Sequence, residues 1–171
     1  ATATLSPGAA TLDLVATTIT AGQSLSLGNG SASTINAASI AGAAASADLT
    51  INTTGGVTIA GAVGANIGTL TVSQSGGTTF QSTVNATTVT LSATTGTIQF
   101  DASLTATTLN TAIAGYSLSI LGGCDITAAA TLSNTGTIIL GDLSTDLLLF
   151  RGGLAATSAA PRQVDGILRT N

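Results

Sequence analysis

The chain repeats itself about every 20 residues, and no other feature constrains its fold as tightly. Val57-Thr58-Ile59 is followed by Thr78-Thr79-Phe80, Ile98-Gln99-Phe100, Leu118-Ser119-Ile120 and Ile138-Ile139-Leu140, at steps of 21, 20, 20 and 20 residues. Most of these triplets are apolar at their first and third positions, the period-two pattern of a strand with one buried face. The pattern predicts two core columns, Val57, Thr78, Ile98, Leu118, Ile138 and Ile59, Phe80, Phe100, Ile120, Leu140. A third column, Val63, Val84, Leu104 and Cys124, runs in phase with them. Gly55, Gly76, Gly96 and Gly136 mark a corner, with Tyr116 at the intervening glycine position; glycine supplies the positive φ of a sharp turn.

A further strand recurs as Leu49-Thr50-Ile51, Leu70-Thr71-Val72 and Val89-Thr90-Leu91, and continues weakly in Leu109-Asn110-Thr111. A unit of about 20 residues with three short strands is too long for a hairpin and too short for a propeller blade of ~40 residues. It fits one coil of a single-stranded parallel β-helix, an all-β solenoid. An antiparallel sandwich explains short strands but has no reason to repeat in phase. At ~4.8 Å per coil the rod is about eight coils and roughly 40 Å long. One domain, 1–171, is expected: irregular coils over 1–48, where the residues around Ala41 to Ala47 spoil the spacing, regular coils over 49–150, and a terminal segment over 151–171.

Composition narrows the class. With 44% hydrophobic residues and a net charge of only −4, the chain has the apolar content that disordered chains lack. Aromatics are 2%, so the core rests on Val, Ile and Leu. The 33 threonines favour strands through their branched Cβ. Three arginines, Arg151, Arg162 and Arg169, are too few for a phosphate-binding face, and no nucleic-acid partner is expected. No apolar run approaches the ~18 residues of a membrane helix, so no membrane insertion is expected; Leu147 to Phe150 is the most apolar stretch. A single cysteine excludes an intrachain disulfide. The start, Ala1-Thr2-Ala3-Thr4, is no signal peptide; any secretion signal is expected to be removed or upstream.

Candidate sites read mainly as structure. Phe80 and Phe100 are expected to stack inside the rod rather than form an exposed platform. Cys124, with no histidine or second cysteine in the chain, is expected to be a buried small apolar residue. Asp142 and Asp146 lack the glycine-rich serial motif of calcium-binding β-rolls, and are expected to cap turn donors. Gln81 with Asp101, and Asn85 with Thr105 and Asp125, read as outward polar ladders. An enzyme needs several acids or bases converging on one face. Here the acids are dispersed, and neither His nor Lys occurs. The expectation is therefore no enzyme, no catalytic residue, no cofactor and no metal. Thr95-Gly96-Thr97 and Thr135-Gly136-Thr137 suggest an ice-binding threonine array, but Gly115-Tyr116-Ser117 interrupts it.

The 20-residue coils and the Thr, Gly, Ala and Val bias resemble the filamentous-haemagglutinin-type repeats of giant bacterial surface proteins. Asn134-Thr135-Gly136-Thr137-Ile138-Ile139-Leu140-Gly141-Asp142 and Phe150-Arg151-Gly152-Gly153-Leu154 look like the ends of such repeats. The resemblance implies secretion, a cell-surface or extracellular location, and a structural or adhesive role. The expected function is a structural β-solenoid of a bacterial fibre or surface stalk, whose copies stack head to tail. The alternatives are an adhesin segment binding carbohydrate or a host surface, an ice-binding protein and a polysaccharide-active enzyme.

Overall fold

Apolar and small polar residues alternate along most of this chain, and branched side chains at many positions favour extended backbone. The result is strand almost everywhere. The structure, a computed structural model, describes residues 1–44, 46–92, 94–158 and 161–170, and its helices and strands among these residues comprise strands alone. The first coil holds β1 (Thr2–Leu5), β2 (Thr11–Leu14) and β3 (Thr17–Ile19), and the second β4 (Ser24–Leu27), β5 (Thr34–Ala37) and β6 (Ile40–Gly42). β7 (Ala47–Asn52), β8 (Gly56–Ile59) and the long β9 (Val63–Gln74) follow. Next come β10 (Gly77–Phe80), β11 (Val84–Leu91), β12 (Thr97–Phe100), β13 (Leu104–Thr111), β14 (Ser117–Ile120), β15 (Cys124–Ile126) and β16 (Ala130–Leu132). The chain finishes through β17 (Ile138–Leu140), β18 (Leu147–Phe150), β19 (Leu154–Ala156), β20 (Arg162–Val164) and β21 (Ile167–Thr170).

Strands pair in parallel with those of neighbouring coils, on both sides except at the two ends, so the chain is a parallel β-solenoid. One sheet contains eight strands in the order β2-β5-β8-β10-β12-β14-β17-β20. The other contains thirteen and folds along a corner into two faces. In the middle coils β9, β11 and β13 run continuously around that corner. There, two strands do the work of the three expected from sequence.

The period varies along the rod. One column of the eight-stranded sheet contains Leu12, Ile35, Val57, Thr78, Ile98, Leu118, Ile138 and Arg162 in successive register, at steps of 23, 22, 21, 20, 20, 20 and 24 residues. The mean is nearer 21 than 20. The longer steps come from residues added where the chain turns, which leave strand register intact. Residues 1–44 and 46–48 carry longer steps. β1 lies on β4 and β4 on β7 in unbroken register, and β2 and β3 continue their faces likewise. Ala45, within the segment whose spacing is disturbed, lies outside the described residues, as does Asn171 at the end of the terminal segment.

Inward positions form a single core along the axis. Phe80 and Phe100 stack with ring centroids 4.9 Å apart and planes 7° from parallel, both buried between Ile59 and Ile120. Val63, Val84, Leu104 and Cys124 also occupy one buried column.

The corner glycines serve a purpose other than positive φ. Gly55, Gly76, Gly96 and Gly136 lie outside the left-handed region. A Cβ on any of them would run into backbone of the preceding coil: the Ser33 carbonyl at Gly55, the Thr54 carbonyl at Gly76, the Gly76 carbonyl at Gly96 and the Tyr116 carbonyl at Gly136. Coils 4.7–4.9 Å apart leave no room for a side chain that points along the axis.

Beside that corner the sequence hides a buried polar ladder. Ser33, Thr53, Ser75, Thr94 and Asn134 are all buried, one to a coil. Thr53 Oγ1 donates to the carbonyl of Ser33 at 2.6 Å and accepts from the Gly55 amide at 3.0 Å. Thr94 Oγ1 donates to the Ser75 carbonyl at 2.7 Å, and Asn134 Nδ2 donates to the Tyr116 carbonyl at 3.1 Å. These side chains tie each turn to a carbonyl of the coil before; the Ser75 and Tyr116 carbonyls also accept the Thr95 and Gly136 amides. In the coil between Thr94 and Asn134 the buried ring of Tyr116 enters the interior, its hydroxyl 3.4 Å from the Leu91 carbonyl.

Thr78 stands outside this ladder, and the Asn134 Oδ1, like the Thr78 hydroxyl, has no partner. Thr78 sits in the apolar column between Val57 and Ile98, and its buried hydroxyl has no hydrogen-bond partner. Such a group costs about 1–3 kcal/mol. Thr78→Val, which keeps the shape and removes the hydroxyl, is therefore expected to stabilise the chain by ~1 kcal/mol, read as a higher urea midpoint at unchanged slope.

Candidate functional site

Chemistry needs polar groups brought together, and the solenoid disperses them. Among the described residues no three His, Cys, Asp or Glu side chains are placed to hold a metal ion. Of the two aspartates at the turn before β18, Asp146 alone accepts the turn's backbone donors. Its Oδ2 takes the amides of Asp142 at 2.9 Å and Leu143 at 2.8 Å, and these bonds hold its carboxyl below the usual carboxylate range. Asp101 accepts from Gln99 two residues away at 2.6 Å rather than from Gln81. Asn85, Thr105 and Asp125 do lie in register on successive coils.

An ion pair that sequence reading missed joins that ladder to the next coil. Arg151 Nε and a terminal nitrogen donate to the two carboxylate oxygens of Asp125 at 2.8 and 2.7 Å. The guanidinium holds the Asp125 carboxyl below its ordinary value. Residues 26 apart in sequence meet because the coil between them is longer than the regular period. The threonine rows are likewise broken: on the face of β7 and β11, Asp48 interrupts one outward row and Asn110 another.

Cys124 is buried beneath Leu148. Burial pushes its thiol up from 9.0 to about 12, and the phenol of Tyr116 also to about 12. Both groups hold their protons more tightly when folded. Their contribution to stability is complete below about pH 9 and is lost as pH climbs toward 12. At pH 8, alkylation of Cys124 by iodoacetamide is expected to be about a thousandfold slower in the folded chain than in urea, because the thiolate fraction falls tenfold per unit of pKa. Mass spectrometry of timed samples measures this. Equal rates would contradict the buried thiol.

The two ends are the places where the apolar columns are not closed. On the first coil Leu5 is 37% exposed, and Leu12 and Leu14 are half-buried. Their partners one coil in, Leu27 and Ile35, are 0% exposed. On the last coil Val164 and Leu168, over the buried Leu140 and Leu148, are 49% and 41% exposed. β1, β2 and β3 each have a strand neighbour on one side only among the described strands, and so do β19, β20 and β21. Arg162 falls in the inward register, over Ile138, yet its side chain turns aside and donates to the carbonyls of Ala156 at 3.0 Å and of Ser158.

Fold and sites together define a parallel β-solenoid with a largely apolar interior and apolar residues exposed at both ends. Comparison with protein-family models, curated proteins and solved structures finds no match for this chain.

Proposed function

We propose that this solenoid is a structural segment of an extracellular bacterial fibre or surface stalk, without enzymatic activity, whose end coils stack on those of further copies. The copies are either tandem units of a longer chain or separate subunits. The observation that carries this reading is the pair of open ends. Leu12 and Leu14 at one end, and Val164 and Leu168 at the other, leave partly open inward columns whose members one coil in, Ile35, Ala37, Leu140 and Leu148, are buried. The ends are also compatible in register, since Leu12 and Arg162, and Leu14 and Val164, are first and last members of the same columns. Stacking β20 on β2 of the next copy, with β21 on β3 and β19 on β1, would continue the hydrogen-bond ladders. It would also bury the exposed leucines and valine, whose removal from water drives association. A head-to-tail joint of this kind does not close on itself and extends as a filament. The extracellular location rests on the resemblance to filamentous-haemagglutinin-type repeats.

Electron microscopy and light scattering of the purified chain test the reading. Rods of variable length, in multiples of roughly 40 Å, are expected. A strictly monodisperse monomer at every concentration would refute stacking between separate copies, and a reading frame without tandem copies would then remove the covalent version.

A further inference from the structure

Inside the rod, carbonyls at the corner between β1-type and β2-type strands are closed by the coil that follows. Val72, Leu91, Thr111, Leu132 and Ala156 form one column. Along it, the residue one place beyond a strand donates its amide back to the coil before: Ser92 to the Val72 carbonyl at 2.9 Å, Ala112 to Leu91 at 2.9 Å and Thr157 to Leu132 at 3.1 Å. In the adjoining turn the Ser33 and Ser75 carbonyls take the hydroxyls of Thr53 and Thr94 from one coil on. Such carbonyls face along the axis, which is how the following coil reaches them.

On the last coil a side chain supplies these donors instead. Ala156 ends the column. The turns from β16 to β17 and from β19 to β20 both span five residues, 133–137 and 157–161, so Ser158 is the counterpart of the ladder residue Asn134. The Arg162 guanidinium donates to both carbonyls, of Ala156 at 3.0 Å and of Ser158. Arg162 begins β20 in the inward register, over the buried Ile138. Pointing inward it would bury an unpaired charge, which is costly. Folded back over its own turn it stays exposed and closes the edge. A guanidinium that donates to an axial carbonyl stands in the layer that a further coil would fill.

A copy stacked head to tail would displace it twice. Leu5 begins the column that Ala156 ends, so the Ser6 amide, one place beyond β1, would arrive at the Ala156 carbonyl. Leu12 begins the column that Arg162 ends, so its side chain would arrive over Arg162. The guanidinium's bonds are charge-assisted, the stronger class, and the arriving amide is neutral. We propose that Arg162 is a gate on end-to-end association: it caps the last coil of a free chain, and a second copy docks there only by displacing it. The inference rests on the stacking reading and adds what limits it. Arginine keeps its charge at every working pH, so concentration, not pH, opens the gate.

Sedimentation velocity and electron microscopy of the full chain over a concentration series test the gate, with Arg162→Leu as the variant and Arg169→Leu as its control. Arg169 lies on the same last coil in outward register, over Leu149, so the control makes the same change of charge and side chain without touching the cap. Arg162→Leu is expected to form rods at a concentration about tenfold lower than the parent, the effect of losing one charge-assisted hydrogen bond that opposes docking. Arg169→Leu should stay within about twofold of the parent. Amide exchange, followed below the assembly concentration, reads the cap itself: Thr157, beside the capped carbonyls, should exchange severalfold faster in Arg162→Leu. An equal gain in Arg169→Leu, or Thr157 exchange unchanged in Arg162→Leu, would overturn the gate. So would faster exchange without easier assembly, since Arg162 would then merely brace its turn. These failures leave the parent forming rods. Absence of rods from the parent and both variants is a different result, which would refute stacking and the gate with it.

Discussion

Phe100→Ala is expected to destabilise the chain by about 3–5 kcal/mol, the range for removing a fully buried aromatic side chain. Phe100 is 0% exposed and lies face to face with Phe80, so truncation loses its own burial and leaves one face of the Phe80 ring against a void. Relief by collapse is limited, because the spacing between coils is held by parallel ladders above and below. Asp142→Ala is the comparison. Its carboxylate accepts none of the backbone bonds that Asp146 takes at the same turn, and its replacement should cost far less. Urea denaturation of the two variants measures the difference. Equal losses would mean that the stacked pair is not the centre of the core.

Gly96→Ala is expected to cost about 3 kcal/mol, the upper end of the range for inserting a methyl group into a packed interior. The added Cβ would overlap the Gly76 carbonyl and approach the Gly77 Cα to 2.8 Å. Neither is the end of a flexible side chain, so coil must move against coil. Gly115→Ala is the control, since a Cβ there meets nothing within 4 Å. It should lie within about 0.5 kcal/mol of the parent. If the corner glycines were kept only for turn flexibility, the two substitutions would behave alike. Thermal or chemical unfolding of both variants distinguishes these outcomes.

The corner shows how far sequence reading reaches. The glycine column at 55, 76, 96 and 136 is visible as a period, and it does mark a corner. Its cause is visible only when one coil is laid on another, because the atom each glycine avoids belongs to a residue about 20 positions earlier. The polar ladder of Ser33, Thr53, Ser75, Thr94 and Asn134 was missed for a related reason. Serine, threonine and asparagine in a turn read as solvent-facing, and nothing local says that the turn is folded inward. Their roughly regular spacing was the available signal. The two-residue bulge of β9, where Val63 pairs with Val84 but Ile67 pairs with Ala86, was blurred by the disturbed spacing around Ala41 to Ala47.

By itself, the order of residues determined that the chain is a β-solenoid, which residues share a column, and that the interior is apolar. These follow from two periods, one of two residues along a strand and one of about 20 around a coil, and both are properties of a linear pattern. The tertiary structure decided what lies between the columns: the corner bend in β9, β11 and β13, the Asp125–Arg151 pair, and the exposed columns at the ends. Each depends on how many residues a particular coil spends at its turns. That number changes which side chains meet without disturbing the strand pattern from which the fold is read.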